Sequence, residues 1–221
     1  MPDTVVTVEA HDLDDAGHSP LHPEEEPLVA RAVDKRRREF TVVRSCARRA
    51  MRKLGVPPQP VLPGDRGAPR WPDGLTGSMT HCDGYCAAAL ARATDLASLG
   101  IDAEPDGPLL DGVLPAVSLP GEVERLGRLA GERPGIHWER LLFSAKESVY
   151  KAWFPLTGQW LDFTEADIEI SVDADDGRRG GLHVALLVPG PWVGGRRLTH
   201  FEGRWTARHG LVATTITVPH T

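Results

Sequence analysis

The chain has 221 residues, with 25 Lys and Arg against 31 Asp and Glu and a formal net charge of −6. This length allows one large domain or two small lobes, and the acidic balance argues against a protein that coats nucleic acid nonspecifically. No apolar run could span a bilayer, and the acidic N-terminus is unlike a signal sequence, so we expect a cytoplasmic protein with neither membrane nor nucleic-acid partners. The 3 cysteines match no four-ligand zinc pattern, and we expect free thiols.

The N-terminal segment combines a short β-capable patch with an irregular stretch. Residues 5–8 favour a strand, but the Gly, His, Pro and Asp residues that follow have no period, so residues 1–22 are predicted to form a loosely attached arm. A long helix is predicted from Glu24, because three acids begin an apolar stripe of helical spacing that ends at Gly55.

This predicted helix carries a basic face between Lys35 and Lys53. Arg36 and Arg44 lie eight residues apart along one margin of the apolar stripe, so both can point at one ligand. The alternative is a solvated basic face whose aliphatic stems cover the edge of the core. The charge pattern favours a local anion site over a global one.

A Pro- and Gly-rich loop over residues 57–76 follows, with a charged turn that contains Arg66. Loops of this length in compact proteins tend to be functional or mobile. Residues 77–81 and 85–91 then predict a hairpin with a Gly-containing turn. His81 ends the first strand of this hairpin, a position where a histidine is more often structural than a ligand.

Acidic side chains on two predicted elements can meet at one site. Asp102 and Glu104 alternate on a predicted strand over residues 99–104, so both carboxylates project from one face. The apolar spacing of residues 142–153 predicts a helix on which Glu147 and Lys151 share a face, most simply as a solvated ion pair. Two strand carboxylates and one helix carboxylate would together form an oxygen-ligand site suited to Mg²⁺.

The order of predicted elements repeats once along the chain. A helix followed by strands is succeeded by a second helix and four strands, within 167–172, 182–188, 198–208 and 211–218. The pattern predicts an α+β fold of two similar halves, residues 23–112 and 113–221, related by pseudo-two-fold symmetry. The active site would lie in the cleft between them.

Four motifs in this order, KRRREFTVVRSCAR, GSMTHCDGY, GIDAEP and FSAKESVYKAW, resemble the 4'-phosphopantetheinyl transferases of the long, broad-specificity type. The resemblance covers roughly residues 24–163. It implies a monomeric, Mg²⁺-dependent holo-[acyl-carrier-protein] synthase, with Mn²⁺ as an alternative metal. Such an enzyme transfers the arm of coenzyme A to a serine of apo acyl or peptidyl carrier proteins. The pathways implied are polyketide, nonribosomal peptide, siderophore or fatty acid biosynthesis.

The resemblance also assigns roles to individual residues. It implies that the acids Asp102, Glu104 and Glu147 hold the metal, and that Glu147 and Lys151 are catalytic. The residues implied to contact coenzyme A are Arg36, Arg44, Arg66, His81, Lys146 and Lys151. Where relatives often carry a further Lys, this chain has Pro63, so that contact is missing or supplied elsewhere. Three apolar residues after the central helix are expected to meet the carrier protein: Phe154, Leu156 and Trp160.

Three alternative functions remain open from the sequence alone. A Mg²⁺-dependent nuclease could use similar acids and a basic helix, but it would place a lysine two residues after an acid, where this chain has Asp106. A non-catalytic nucleotide-binding module would need only the arginines and His81, and would tolerate loss of Glu147. A small trimeric carrier synthase would resemble only one half of this chain.

Overall fold

Two helices of 20 residues, each packed on its own antiparallel sheet, organise the mixed α+β fold. The computed structural model describes residues 1–11 and 19–220. The helices are α1 (Asp34–Lys53), α2 (Val113–Val117), α3 (Pro120–Glu132) and α4 (Trp138–Thr157). The strands are β1 (Val6–Ala10), β2 (Leu62–Pro63), β3 (Pro69–Arg70), β4 (Leu75–Cys82), β5 (Tyr85–Arg92), β6 (Leu96–Pro105), β7 (Ala166–Ile170), β8 (Arg179–Leu186), β9 (Trp192–Val193), β10 (Arg196–Arg197), β11 (His200–Arg208) and β12 (Leu211–Pro219).

The strands form two main sheets and two short ribbons. One sheet has the order β1-β5-β4 and the other β6-β12-β11-β8-β7, while β2 pairs with β3 and β9 with β10. Strand β4 runs beside β6, and side chains join the two: the Ser78 hydroxyl accepts from the amide of Ile101 at 3.0 Å, and the Thr80 hydroxyl accepts from that of Ala103 at 3.2 Å. The two sheets therefore meet along the strand that carries the predicted metal ligands.

The predicted long helix begins later than expected, at Asp34 instead of Glu24. A short 3-10 helix, Glu26–Val29, precedes it. Glu25 is fully buried, and its carboxylate accepts from Arg48 at 2.9 Å and from the amide of Val61 at 2.8 Å. A buried charge is stable only with such partners. These contacts fix the segment before α1 against Arg48 of the helix and against Val61. The segment therefore does not continue the helix back to Glu24.

The N-terminal residues of β1 are part of a sheet, whereas the sequence predicts that they belong to a loosely attached arm. Strand β1 pairs with β5 in the register Val6 to Leu90, and the Tyr85 hydroxyl donates to Glu9 at 2.9 Å. The β-capable patch is thus an edge strand of the first sheet, because β5 offers it an apolar pairing partner. The irregular stretch that the sequence assigns to this arm lies partly at 12–18, outside the described residues.

Helix α4 lies directly on β6 because Gly100 has no side chain. A Cβ on this glycine would overlap the backbone carbonyl of Ser148. The Ser98 hydroxyl also donates to the carbonyl of Ala152 at 2.7 Å. This close approach fixes the position of α4 relative to the acids of β6.

Several other predicted elements are confirmed. The hairpin appears as β4 and β5, the central helix as α4, and the four later strands as β7, β8, β11 and β12. The strand predicted at residues 99–104 is β6, but it pairs with β12 and so joins the second sheet. Among the described residues, none of the helices combines the length and apolar character needed to span a bilayer.

Candidate active site

A cavity of about 610 Å³ lies between α1, the β2–β3 ribbon, β4 and the C-terminal part of α4. Its lining is rich in cationic or potentially cationic side chains: Arg36, Arg44, Arg66, Arg70, His81 and Lys151. Of the described residues that line it, Asp65 is the one acid. Concentrated positive charge in a concave site attracts polyanionic ligands.

Arg44 is the buried arginine of this cavity. Its guanidinium carbon lies 3.2 Å from the centre of the Phe40 ring, and its Nε donates to the carbonyl of Val61 at 3.1 Å. Burial lowers the pKa of Arg44 to about 10, with Glu25 opposing that shift. The side chain therefore stays charged at neutral pH in a fixed orientation.

Arg36 and His81 contact each other at the cavity. An Arg36 terminal nitrogen lies 2.6 Å from Nε2 of His81, although the two residues come from α1 and β4. Burial lowers the pKa of His81, and the positive charge of Arg36 lowers it further. The imidazole is therefore neutral at pH 7, with Nε2 accepting from the guanidinium.

The β2–β3 ribbon supplies two more arginines. Arg66 lies at the turn in a left-handed conformation, with φ of 52°, and its guanidinium lies 5.7 Å from the centre of the Trp160 ring. Arg70 on β3 pairs with Leu62 on β2, next to Pro63. Sequence reasoning missed Arg70, although the two short extended stretches that flank the glycine-bounded turn are typical of a hairpin.

Asp102 and Lys151 form the contact between the cavity and the acids of β6. Lys151 Nζ donates to Asp102 Oδ1 at 2.7 Å and to the carbonyl of Ile101 at 3.1 Å, and the Thr80 hydroxyl donates to the same Oδ1 at 3.1 Å. The other carboxylate oxygen of Asp102 is buried without a hydrogen-bond partner among the described residues. Such an orphaned acceptor is costly unless a ligand satisfies it.

Glu104 and Glu147 are half-buried and lie within electrostatic range of Asp102. Burial raises the pKa of each, and the Asp102 carboxylate raises both further. Arg140 opposes the shift at Glu104, where it forms an ion pair of 3.2 Å, and Lys151 opposes it at Glu147. Arg140, Glu147 and Lys151 lie at i, i+7 and i+11 of α4 and so share one face of the helix. Arg140 is a second residue that sequence reasoning missed.

The carboxylates of Asp102 and Glu104 are paired with cations in this structure. No three His, Cys, Asp or Glu side chains of residues 1–11 and 19–220 are arranged as a ready metal-ligand set. Lys151 pairs with Asp102 and Arg140 pairs with Glu104. The donor set nevertheless fits a hard divalent cation, because its oxygens are carboxylates and one buried oxygen of Asp102 has no partner among the described residues.

Lys146 does not reach the cavity, in contrast to the contact with coenzyme A that the sequence predicts. It is 2% exposed, pairs with Glu122 at 2.8 Å and donates to the carbonyl of Phe163 at 2.7 Å. Adjacent residues on a helix point about 100° apart, so Lys146 and its neighbour Glu147 face different surroundings. The lysine ties α4 to α3 and to the segment before β7.

The three apolar residues expected to meet a carrier protein differ in exposure. Phe154 is buried at the cavity, and Leu156 packs against the core cluster. Trp160 is 55% exposed, with its ring centre 5.0 Å from that of Tyr150. The geometry therefore leaves Trp160 as the accessible member of the group.

Two family models match this chain and together span most of it. The model described as 4'-phosphopantetheinyl transferase N-terminal domain matches residues 24–91, and that of the 4'-phosphopantetheinyl transferase superfamily matches residues 98–208. The second range begins within β6, the strand that pairs into the five-stranded sheet. Both descriptions agree with the resemblance carried by the four motifs.

Several relatives are similar to this chain over most of its length. The 4'-phosphopantetheinyl transferase Svp of Streptomyces mobaraensis is 61% identical over 219 residues, 99% of this chain and 87% of that protein. PptT of Mycobacterium tuberculosis is 50% identical over 203 residues, 92% of this chain and 88% of its own. Npt of Nocardia iowensis is 50% identical over 198 residues, 88% of each chain. This chain therefore belongs to the 4'-phosphopantetheinyl transferase superfamily.

Proposed function

We propose that this chain transfers the 4'-phosphopantetheine arm of coenzyme A to a serine of apo acyl or peptidyl carrier proteins, using the cavity between α1 and α4. The enzyme class itself, a 4'-phosphopantetheinyl transferase, follows from the family and its relatives. Enzymes of this family use coenzyme A as co-substrate, generally with a divalent metal, and act on carrier proteins. The proposal concerns which residues of this chain do so and in which role.

The observation that carries the proposal is the concentration of cations around one cavity next to the acids of β6. Coenzyme A carries a 3'-phosphate and a pyrophosphate, both strongly anionic. We assign the 3'-phosphate to Arg36, Arg44 and His81, and the pyrophosphate side to Lys151. Arg66 and Arg70, on the ribbon that borders the cavity, supply further positive charge. Arginine suits this task because its planar fork matches phosphate oxygens.

The reaction is an in-line displacement at phosphorus. The carrier serine oxygen forms a bond to the β-phosphorus of coenzyme A, and the bond to the bridging oxygen breaks, so adenosine 3',5'-bisphosphate leaves. Glu147 takes the serine proton during attack, as a general base. Lys151 stabilises the charge that builds on the phosphate oxygens.

Asp102, Glu104 and Glu147 are the residues that would hold Mg²⁺, or Mn²⁺ in its place. When bound, the ion neutralises negative charge on the pyrophosphate and on the leaving group. The Asp102 oxygen that has no hydrogen-bond partner among the described residues supports this assignment. Burial and, after it, the Asp102 charge raise the pKa of Glu104 and Glu147, which agrees with a site where a cation would be favourable. Lys151 pairs with Asp102 and Arg140 with Glu104 in this structure, so these two cations would have to release the two carboxylates for the ion to bind.

We further propose that the molecule acts as a monomer in the cytoplasm, made of two α+β halves related by pseudo-two-fold symmetry around an active-site cleft. The expected halves, 23–112 and 113–221, assign β6 to the first. The pairing of β6 with β12 supports a boundary nearer residues 92–97, between the two family matches. The acceptors serve polyketide, nonribosomal peptide, siderophore or fatty acid pathways.

The test is a transfer reaction with purified apo carrier proteins, followed by intact-protein mass spectrometry and chromatography of the nucleotide product. We expect one phosphopantetheine arm per carrier and one equivalent of adenosine 3',5'-bisphosphate, with dephospho-coenzyme A much less effective because it lacks the 3'-phosphate. Coenzyme A binding without any transfer to peptidyl or acyl carriers would contradict the proposal and favour a nucleotide-binding module.

A further inference from the structure

A buried carboxylate lies behind the cationic side of the cavity. Glu39 on α1 is 8% exposed, and one of its oxygens lies 3.7 Å from Nδ1 of His81. Arg36, one turn earlier on the same helix, lies 2.6 Å from the opposite ring nitrogen, Nε2. The imidazole of His81 is therefore placed between a guanidinium and a carboxylate.

In the part of the chain that the structure describes, the ion pair of this carboxylate is the 3.7 Å one with His81. It also lies within electrostatic range of Lys35, one turn earlier on α1. Burying a carboxylate is costly unless it is paired, and placing it beside an anion site opposes anion binding by simple charge repulsion. An effect of Glu39 on His81 would explain why the chain keeps a carboxylate that is both buried and repulsive to a bound anion.

The charges around His81 come from three elements. Arg36 and Glu39 face it from α1, Lys151 from α4 and Asp102 from β6. Burial and the two cations disfavour the imidazolium, while the two carboxylates favour it. A phosphate dianion placed against Nε2 would offset Arg36 and add negative charge, so a proton on the ring would then become favourable.

We infer that Glu39 is a positioning residue that lets His81 bind phosphate as an imidazolium. The Glu39 carboxylate lies 3.7 Å from Nδ1, so its charge favours a proton on that nitrogen and leaves Nε2 for the ligand. In the free protein Nε2 is unprotonated and accepts from Arg36; when the phosphate binds, Nε2 takes one proton from solvent and donates to a phosphate oxygen. This rests on the proposed function, because it assumes that the phosphate near His81 belongs to coenzyme A.

The experiment is calorimetric titration of coenzyme A into the full chain at pH 8, with a chelator present, in buffers of different ionisation enthalpy. The dependence of the measured heat on the buffer gives the number of protons taken up. At this pH a free phosphate monoester is already a dianion, since its second pKa is about 6. The variants are Glu39→Gln, Glu39→Asp and His81→Asn, with Glu124→Gln on the exposed face of α3 as the matched control.

We expect the wild type and the control to take up close to one proton per coenzyme A, and dephospho-coenzyme A to cause much less uptake. The Gln and Asn variants should lose most of the uptake, whereas Glu39→Asp, which keeps the charge, should restore part of it. By linkage, uptake on binding means that affinity rises as pH falls, and this slope should flatten in Glu39→Gln.

Two results would overturn the inference. The first is wild-type binding of coenzyme A with no proton uptake, and the second is uptake in Glu39→Gln equal to that of the wild type. The same protein samples are assayed for transfer to a carrier protein. Transfer without proton uptake therefore removes the role of Glu39 alone, whereas absence of transfer removes the proposed function. Thermal unfolding of each variant shows that the comparison is made on folded protein.

Discussion

Glu147 is half-buried on α4, where burial and the Asp102 carboxylate raise its pKa. A general base acts in its ionised form, so activity should fall as the pH drops through a value above 4.5, the ordinary value for glutamate. Glu147→Gln should lower turnover by about two orders of magnitude or more, the usual scale for losing a general base.

Glu139→Gln is the control for this prediction, since Glu139 is exposed on the same helix. It should leave the rate and the acid limb of the pH profile unchanged. The measurement is the initial rate of carrier modification between pH 5 and pH 8, scored by intact mass. A Glu147→Gln enzyme that works at nearly the wild-type rate contradicts the role given to this carboxylate.

Arg70 is an exposed arginine of the cavity wall, on the strand that pairs beside Pro63. If it contacts phosphate, Arg70→Gln should raise KM for coenzyme A about tenfold, which corresponds to about 1.4 kcal/mol, and leave kcat unchanged. Arg52→Gln, an exposed change on α1, serves as the control. Equal KM values for the two variants would show that Arg70 does not bind the substrate.

At the scale of elements, the contact of α4 with β6 positions Glu147 relative to Asp102. Gly100→Ala adds a methyl group that overlaps the Ser148 carbonyl, so the helix has to move. We expect a loss of about 1–3 kcal/mol in stability and a fall in kcat, because a displacement of about 1 Å at a site can cost about 100-fold.

The matched control for this change is Gly127→Ala, in the middle of α3, where an added methyl group meets open space. It should keep full activity and gain up to about 1 kcal/mol, since alanine favours a helix over glycine. Urea unfolding and steady-state kinetics on both variants give the comparison. A Gly100→Ala protein with unchanged stability and kcat would contradict the importance of this packing.

The buried pair of Lys146 and Glu122 joins α4 to α3. Lys146→Met leaves the Glu122 carboxylate buried without its cation and should reduce the free energy of unfolding by about 3–5 kcal/mol. Lys53→Met, at an exposed position, should change it by no more than about 0.5 kcal/mol. The KM for coenzyme A, measured below the unfolding transition, should stay at the wild-type value. A raised KM would indicate that Lys146 contacts coenzyme A, in contradiction to its place in the structure.

Elements with a strong local pattern could be predicted from the sequence. Helix α4, the β4–β5 hairpin and the later strands follow from apolar spacing and turn residues. The start of α1 could not, because Glu25 is held by Arg48 and the Val61 amide, which are distant in sequence. The pairing of β1 with β5 and of β6 with β12 depends on long-range register, which local patterns do not contain.

The residues of the candidate site could likewise be predicted only in part from the sequence. Five of the residues named from the family resemblance line the cavity together: Arg36, Arg44, Arg66, His81 and Lys151. Lys146 does not, because its motif gives adjacency in sequence and not direction on the helix. Arg70 and Arg140 belong to no motif named from the sequence and become visible only when the ribbon and the helix are placed in space.

At the scale of the whole molecule, the local charge of the cavity wall is positive although the net charge of the chain is negative. The chain carries −6 overall, yet the cavity wall collects arginines from α1 and the ribbon. The acids lie next to it on β6 and α4, joined to it by the ion pair of Lys151 with Asp102. A polyanion and a divalent cation can thus be held side by side, as phosphoryl transfer requires.

The most direct test of this arrangement is the rate of arm transfer to an apo carrier protein as Mg²⁺ is removed and restored. Wild-type protein should modify the carrier, lose activity with a chelator and recover it when Mg²⁺ or Mn²⁺ is added in excess. Asp102→Asn should stay inactive at every metal concentration while still binding coenzyme A. Full transfer in the chelator, or by Asp102→Asn, would contradict the assignment of these acids to a metal site.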